Sequence, residues 1–146
     1  SDEPHAGTIA RAIITELKKG TEIETTTQLR DIIAEALSFL PEQDRKDDIK
    51  KSCQRCFQAL RIDVNSEYEV LYEFLEKLPE ALAKDGRVAI LSFHSGEDRL
   101  VKKSFQQYFR EGVYKEIATD FIKPSPEECF ANSRARSAKL RWAIKA

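Results

Sequence analysis

The stretch that most limits what this chain can fold into covers residues 87–99, R-V-A-I-L-S-F-H-S-G-E-D-R. Val88, Ala89, Ile90 and Leu91, with Phe93 beyond Ser92, form a short apolar and partly β-branched run after the turn signal Asp85-Gly86. Such a run, bounded by turn residues, reads as a parallel-type strand buried in a sheet covered on both faces. It stops at once in His94, Ser95, Glu97, Asp98 and Arg99. Ionisable groups gathered at the C-terminal end of a strand lie where α/β folds place their ligands. Gly96 lets the backbone turn there without a Cβ penalty.

Helical patterns lie on either side. Residues 5–19 carry Ile9, Ala12, Ile13 and Leu17 at helical spacing and end in Lys18, Lys19 and Gly20, basic charge followed by a breaker. Leu29, Ile32, Ile33, Ala36 and Leu37 form a second stripe, capped from threonines 25–27 and closed by Pro41. Thr27 has Arg30 three residues on and makes no capping box. Residues 42–51 include eight charged residues and are expected as an exposed loop or a ragged turn. A third helix is predicted over 55–74, with Phe57, Leu60, Val64, Tyr68, Leu71 and Leu75 on its buried face, continuing past a bend at Pro79 to 83. After the strand come a helix over 98–110 and a strand over 114–122. A short helix opened by Pro126 and an alternating antiparallel or edge strand over 139–145 complete the chain. The pattern is α/β with a purely helical start. Three strands leave a parallel-type strand short of neighbours, so part of the sheet is expected to be missing or to come from another chain.

The 146 residues suffice for one domain. Three cysteines, no signal peptide and no apolar run long enough to cross a bilayer point to a reducing, cytoplasmic setting. Methionine is absent even at residue 1, and a piece of a longer product is the expectation. The net charge of -1 hides an asymmetry: from Phe130 onward there are five basic residues and no acid. That permits an anionic partner, although scattered Lys and Arg on a terminal stretch are also ordinary.

Several candidate sites follow. Cys53-x-x-Cys56 lacks the second ligand pair a structural zinc needs, so ordinary helix cysteines fit better and no metal is expected. Arg61 and Asn65, four apart, share a helix face at the edge of the apolar stripe; they are either a surface pair or part of one crevice with His94. His94, Ser95 and Asp98 lack the elbow of a nucleophilic serine, and Asp98 can instead cap the helix or pair with Arg99. Asn132, Arg134, Arg136, Ser137, Lys139 and Arg141 read as a phosphate-clamping stretch or as a plain basic loop and edge strand.

Three blocks then coincide: F-Q-A-L-R-I-x-V-N-x-E (57–67), G-R-V-A-I-L-S-F-H-S-x-E-D-R-x-V-K (86–102) and N-S-R-A-R-S-A-K-L-R (132–141). With I-A-R-A-I at 9–13 and T-T-Q-L at 26–29, they resemble the C-terminal half of the bacterial 16S ribosomal RNA cytosine-N4 methyltransferases, the MraW/RsmH family. Residue 96 departs from the family pattern, which usually has Leu where this chain has Gly96.

The resemblance implies the C-terminal portion of a class I (Rossmann-like) S-adenosylmethionine-dependent methyltransferase with an N-terminal all-helical segment. Residues 1–52 would be part of a helical substrate-recognition insertion, and residues 53–146 the C-terminal part of the Rossmann-like domain. It implies methyl transfer to N4 of a cytidine of 16S rRNA, with the target base out of its stack. Asp98 would accept a proton, with His94 and Asn65 beside it. Arg61, Ser95 and Arg99 would meet the substrate, and Arg134, Arg136 and Lys139 the RNA backbone. The family's glycine-rich cofactor loop precedes the region seen here, and the five glycines present are isolated. This chain alone is therefore expected neither to bind S-adenosylmethionine tightly nor to catalyse transfer. Expected partners are the 16S rRNA of the small ribosomal subunit and, through an uncovered sheet edge, a second copy of the chain; no membrane is expected. A non-catalytic RNA- or ribosome-binding module is the alternative.

Overall fold

The computed structural model describes residues 2–146. They form two compact units, one running up to Asn65 and the other comprising Ser66–Ala146.

The first unit holds three helices, α1 (Ala6–Lys18), α2 (Thr26–Ala36) and α3 (Arg45–Val64). Its core is Ile9, Leu29, Ile33, Leu37 and Cys53, with Ile13, Ile49 and Phe57 packed against them. The threonine cluster does carry a capping box: Thr25 Oγ1 accepts from the Gln28 N–H at 3.2 Å and Gln28 Oε1 accepts from the Thr25 N–H at 2.9 Å. The charged segment expected as a loop is helical from Arg45. Asp47 and Asp48 suit the positive end of α3, and Ser52 and Cys53 give it a buried side. Glu3 pins α3, accepting from Arg55 Nε at 2.6 Å, Ser52 Oγ at 3.0 Å and the His5 N–H at 3.0 Å. Burial pushes the Glu3 carboxyl up, but these hydrogen bonds and the Arg55 charge outweigh it and hold the carboxyl below its ordinary value.

The single helix expected over 55–74 is two helices. α3 ends at Val64, and α4 (Glu67–Ala81) begins after Ser66, whose φ of 49° is left-handed. Asn65 turns its amide back to the Arg61 carbonyl at 2.9 Å. Asn and Ser offer the backbone local alternatives to a helix, which is how the chain leaves it here.

The second unit continues with β1 (Arg87–Ser92), α5 (Ser95–Arg110), β2 (Tyr114–Ile117), α6 (Pro126–Ala131), a 3-10 turn (Ser133–Ser137) and β3 (Lys139–Lys145). The sheet order is β1-β3-β2, with β3 antiparallel to both neighbours. The chain is thus α/β, an all-helical segment leading into a β–α–β–α–β Rossmann-like core of the kind found in class I methyltransferases. Leu75 and Leu78 of α4, Val101 and Phe105 of α5, Tyr114 and Ala143 make the core, with Val88 and Ile90 against it.

Two strand expectations are corrected. β1 pairs antiparallel and is covered on one face only: its buried Ser92 lies at the inward end of an alternating pattern, while Leu91 and Phe93 are each 53% exposed. β3 is antiparallel, as one of the two expected options had it, but it is central rather than an edge, and it turns Arg141 and Ala143 inward. Residue types along 88–93 are apolar on both sides, so a one-sided strand is indistinguishable there from a doubly buried one. β2 is also shorter than expected, with an isolated bridge between Ile122 and Leu140 beyond it.

Tyr114 is 1% exposed and its hydroxyl has no hydrogen-bond partner among the described residues. Burial, reinforced by neighbouring Tyr108, pushes its phenol up to about 12 from 10. The folded state therefore keeps this proton where the unfolded chain has lost it, and stability falls as pH rises from 10 to about 12. Tyr114→Phe is expected to raise stability by about 1 kcal/mol by removing an unsatisfied buried hydroxyl. It should also flatten that alkaline decline; urea titrations at pH 8 and at pH 11 measure both.

Candidate functional site

The turn from β1 into α5 is fixed by side chains within the motif. His94 is the N-cap of α5, its Nδ1 accepting from the Glu97 N–H at 3.4 Å. Glu97 reaches back, and its Oε2 accepts from the Phe93 N–H at 3.2 Å. The pair acts like a capping box with an imidazole in the place of the usual hydroxyl. Acceptance at Nδ1 puts the imidazole proton on Nε2, which is enclosed and lies 3.3 Å from Glu97 Oε1 without an aligned hydrogen bond.

One turn into the helix, Asp98 is buried at 7% exposure and meets Arg141 of β3, which is 4% exposed. Arg141 Nε donates to Oδ1 at 2.7 Å and Nη2 to Oδ2 at 3.2 Å, a two-pronged pair. Lys139 Nζ stands 3.8 Å from Oδ2. Phe121 lies under both cations, its ring centre 4.9 Å from Lys139 Nζ and 5.5 Å from the Arg141 guanidinium. This pair ties the first turn of α5 to the central strand and so fixes where His94, Ser95 and Arg99 stand. Ser95 and Arg99 are exposed.

The second unit thus brings together His94, Ser95, Asp98, Arg99 and Lys139. Arg134 and Arg136 are exposed on the 3-10 turn, where Asn132 Oδ1 accepts from the Arg134 N–H at 3.1 Å. Arg61 and Asn65 belong to the first unit, on the last turn of α3 and at its C-cap. There Arg61 lines a groove of about 830 Å³ with Phe57, Gln58, Lys46, Lys50 and Arg30.

The anchoring role of Arg141 and the presence of Tyr68, whose ring stands edge-on to His94 with centroids 5.9 Å apart, were not legible beforehand. Arg141 carried no usable signal, because the alternation along 139–145 sets it opposite the apolar Leu140, Trp142 and Ile144. Tyr68 carried none, because it fits an apolar stripe.

Glu67, His94 and Glu97 bring donor atoms within 4.8 Å of one another. With Nδ1 accepting from a backbone N–H, Nε2 bears a proton and offers no lone pair, so a cation there would have to break the cap of α5. Cys53 and Cys56 are both free, and burial pushes both thiols up, away from the thiolate that metal binding or redox chemistry uses. No described helix is long and apolar enough to cross a membrane.

A family model described as the MraW methylase family matches residues 1–146. The chain belongs to this family. It is 74% identical over 146 residues to the ribosomal RNA small subunit methyltransferase H 2 of Alkaliphilus metalliredigens, covering all of this chain and 42% of that protein. It is 65% identical to the methyltransferase H 1 of Lachnoclostridium phytofermentans, covering all of this chain and 40% of that protein. With the methyltransferase H of Pseudothermotoga lettingae the identity is 41% over 142 residues, 97% of this chain and 45% of that protein. The chain spans about two fifths of the length of these relatives.

Membership in a methylase family raises the methyl donor, and the glycines test whether these residues fit it. Gly20 and Gly112 have positive φ just beyond the ends of α1 and α5, and Gly7 lies inside α1. A Cβ on Gly86 would strike the Ala83 carbonyl, and one on Gly96 would strike Tyr68. The five glycines lie apart from one another, in a helix, at a helix end or in a turn, and do not form the glycine-rich run that lets a backbone approach a donor closely.

Proposed function

We propose that this chain is the C-terminal half of an S-adenosylmethionine-dependent enzyme that methylates N4 of a cytidine in the 16S rRNA of the small ribosomal subunit, in the cytoplasm. Residues 1–52 are assigned to its helical substrate-recognition insertion and residues 53–146 to its Rossmann-like domain. The observation that carries this is the turn after β1, where a helix capped by His94 and anchored through Asp98 and Arg141 presents Ser95 and Arg99 at the end of a strand. In this reading His94 holds the turn from which Ser95 and Arg99 meet the target base or its phosphate, and Arg61 and Asn65 of the first unit are assigned to the substrate. Both oxygens of Asp98 are engaged by Arg141. We therefore give Asp98 the task of holding α5 and place the acceptor of the N4 proton elsewhere in the full-length enzyme. The donor, when bound to that enzyme, supplies the methyl group. The isolation of the five glycines, none of them part of a glycine-rich run, supports the further inference that this chain alone neither binds the donor tightly nor transfers its methyl group.

The test is methyl incorporation at cytidine N4 of small-subunit RNA by the full-length protein. His94→Ala is expected to lower the rate on the order of 10²-fold through mispositioning. Titration calorimetry of this chain with S-adenosylmethionine is expected to show no tight binding. Micromolar binding by the chain, or a full-length protein that leaves cytidine unmodified, would remove the reading.

The exposed Arg134 and Arg136 favour a second reading, a non-catalytic module that holds RNA or the ribosome. RNA affinity of the chain should then fall with salt, and the Arg134→Ala/Arg136→Ala double variant should flatten that slope by roughly 1.4 for single-stranded RNA. The open edge of β1, beside the exposed Leu91 and Phe93, also supports self-association. Sedimentation should show concentration-dependent dimers; a clean monomer at high concentration counts against this.

A further inference from the structure

Gly96 sits in the first turn of α5, and its φ is not among the positive values that favour glycine. Its backbone accepts any residue, and glycine within a helix is disfavoured relative to alanine. The reason for a glycine here is therefore steric. A Cβ at this position would lie 2.1 Å from Tyr68 Oη, 2.9 Å from Tyr68 Cζ and 3.1 Å from His94 Nδ1. The Tyr68 ring, arriving from the first turn of α4, occupies the volume a side chain at 96 would fill. It stands edge-on to His94, at 66° between the ring planes.

We propose that Tyr68 is a positioning residue for His94: its ring takes the place of a side chain at residue 96 and sets the orientation of the imidazole at the cap of α5. The cap hydrogen bond to Glu97 and the edge contact to Tyr68 together fix the imidazole ring. Tyr68 and Gly96 then form a size-exchange pair. A larger residue at 96 demands a smaller one at 68, and either partner changed alone disturbs His94. The importance of His94 for methyl transfer rests on the function proposed above; its positioning by Tyr68 does not.

The test reads His94 directly, by NMR of the whole chain with labelled histidine, using a His5→Gln background to leave a single imidazole. Amide exchange at Glu97 reports the cap. Tyr68→Phe keeps the ring and should leave both readouts at their original values. Tyr68→Ala and Gly96→Ala should each move the His94 ring resonances and speed Glu97 exchange about tenfold, the scale of a lost N-cap. Tyr68→Phe should relieve part of the Gly96→Ala effect, because the nearest clashing atom is the hydroxyl. Tyr68→Ala/Gly96→Leu should return both readouts toward the original chain. Unchanged His94 signals in Tyr68→Ala, or a Gly96→Ala variant that leaves His94 in place, would overturn the proposal. So would a Tyr68→Phe variant as disruptive as Tyr68→Ala. Should Tyr68→Ala prevent folding, the Gly96→Ala and Gly96→Ala/Tyr68→Phe pair still decides. If His94 responds as expected while the full-length protein fails to methylate cytidine, only the methyltransferase reading falls.

Discussion

Replacing Arg141 with alanine is expected to destabilise the second unit by about 3–5 kcal/mol, because it leaves the buried Asp98 carboxylate with no guanidinium to meet it. Lys139, at 3.8 Å, is too far to replace two hydrogen bonds. Urea unfolding should show the midpoint falling with little change in slope, the mark of lost stability rather than a changed end state. Asp98→Ala should cost a similar amount for the mirror-image reason. A double change to apolar residues, Asp98→Leu/Arg141→Met, should recover more than half of either loss, since buried pairs are often no better than a well-packed apolar substitute. The coupling from that cycle separates the pair's net worth from the penalty of orphaning one charge. A loss under 1 kcal/mol for Arg141→Ala would mean that Asp98 is not buried as described.

Phe105→Ala should produce a loss of comparable size, about 3–5 kcal/mol. Phe105 is 2% exposed and packs edge-on to Tyr114, with ring centroids 5.6 Å apart, between α5 and the sheet. The cavity would sit about three turns below the His94 cap. Phe105→Leu keeps most of the volume and should lose much less. Calorimetric melting of the two variants side by side checks the ordering. Equal destabilisation by both would point to a specific need for the aromatic pair rather than for filled volume.

How much of this could be read from residues alone varied by element. The helices over 6–18 and 26–36 followed from apolar spacing, and α6 from Pro126 with two acids behind it. The position of β1 was legible, but its cover was not. Composition along a strand reports which residues tolerate burial, and the packing partners decide which ones are buried. The break at Ser66 escaped because apolar positions kept helical step across it, while the deciding information was one left-handed dihedral. At the site, the cluster after Phe93 was found from its crowding of polar residues. The sequence offers Arg99 next door as a partner for Asp98, and the partner lies instead 43 residues on, at Arg141. Long-range pairings of this kind leave no local trace, since neither residue's neighbours reveal the other.

The place of β3 has a consequence for biosynthesis. β1 and β2 share no hydrogen bonds with each other, and each is paired only to the last strand in the sequence. A nascent chain on the ribosome therefore makes α4, β1, α5 and β2 before either of the ladders to β3 can form. The Asp98 carboxylate waits for its guanidinium over the same interval. Both ladders to β3 close only after residues 139–145 leave the exit tunnel, and until then the edges of β1 and β2 that face β3 are unpaired.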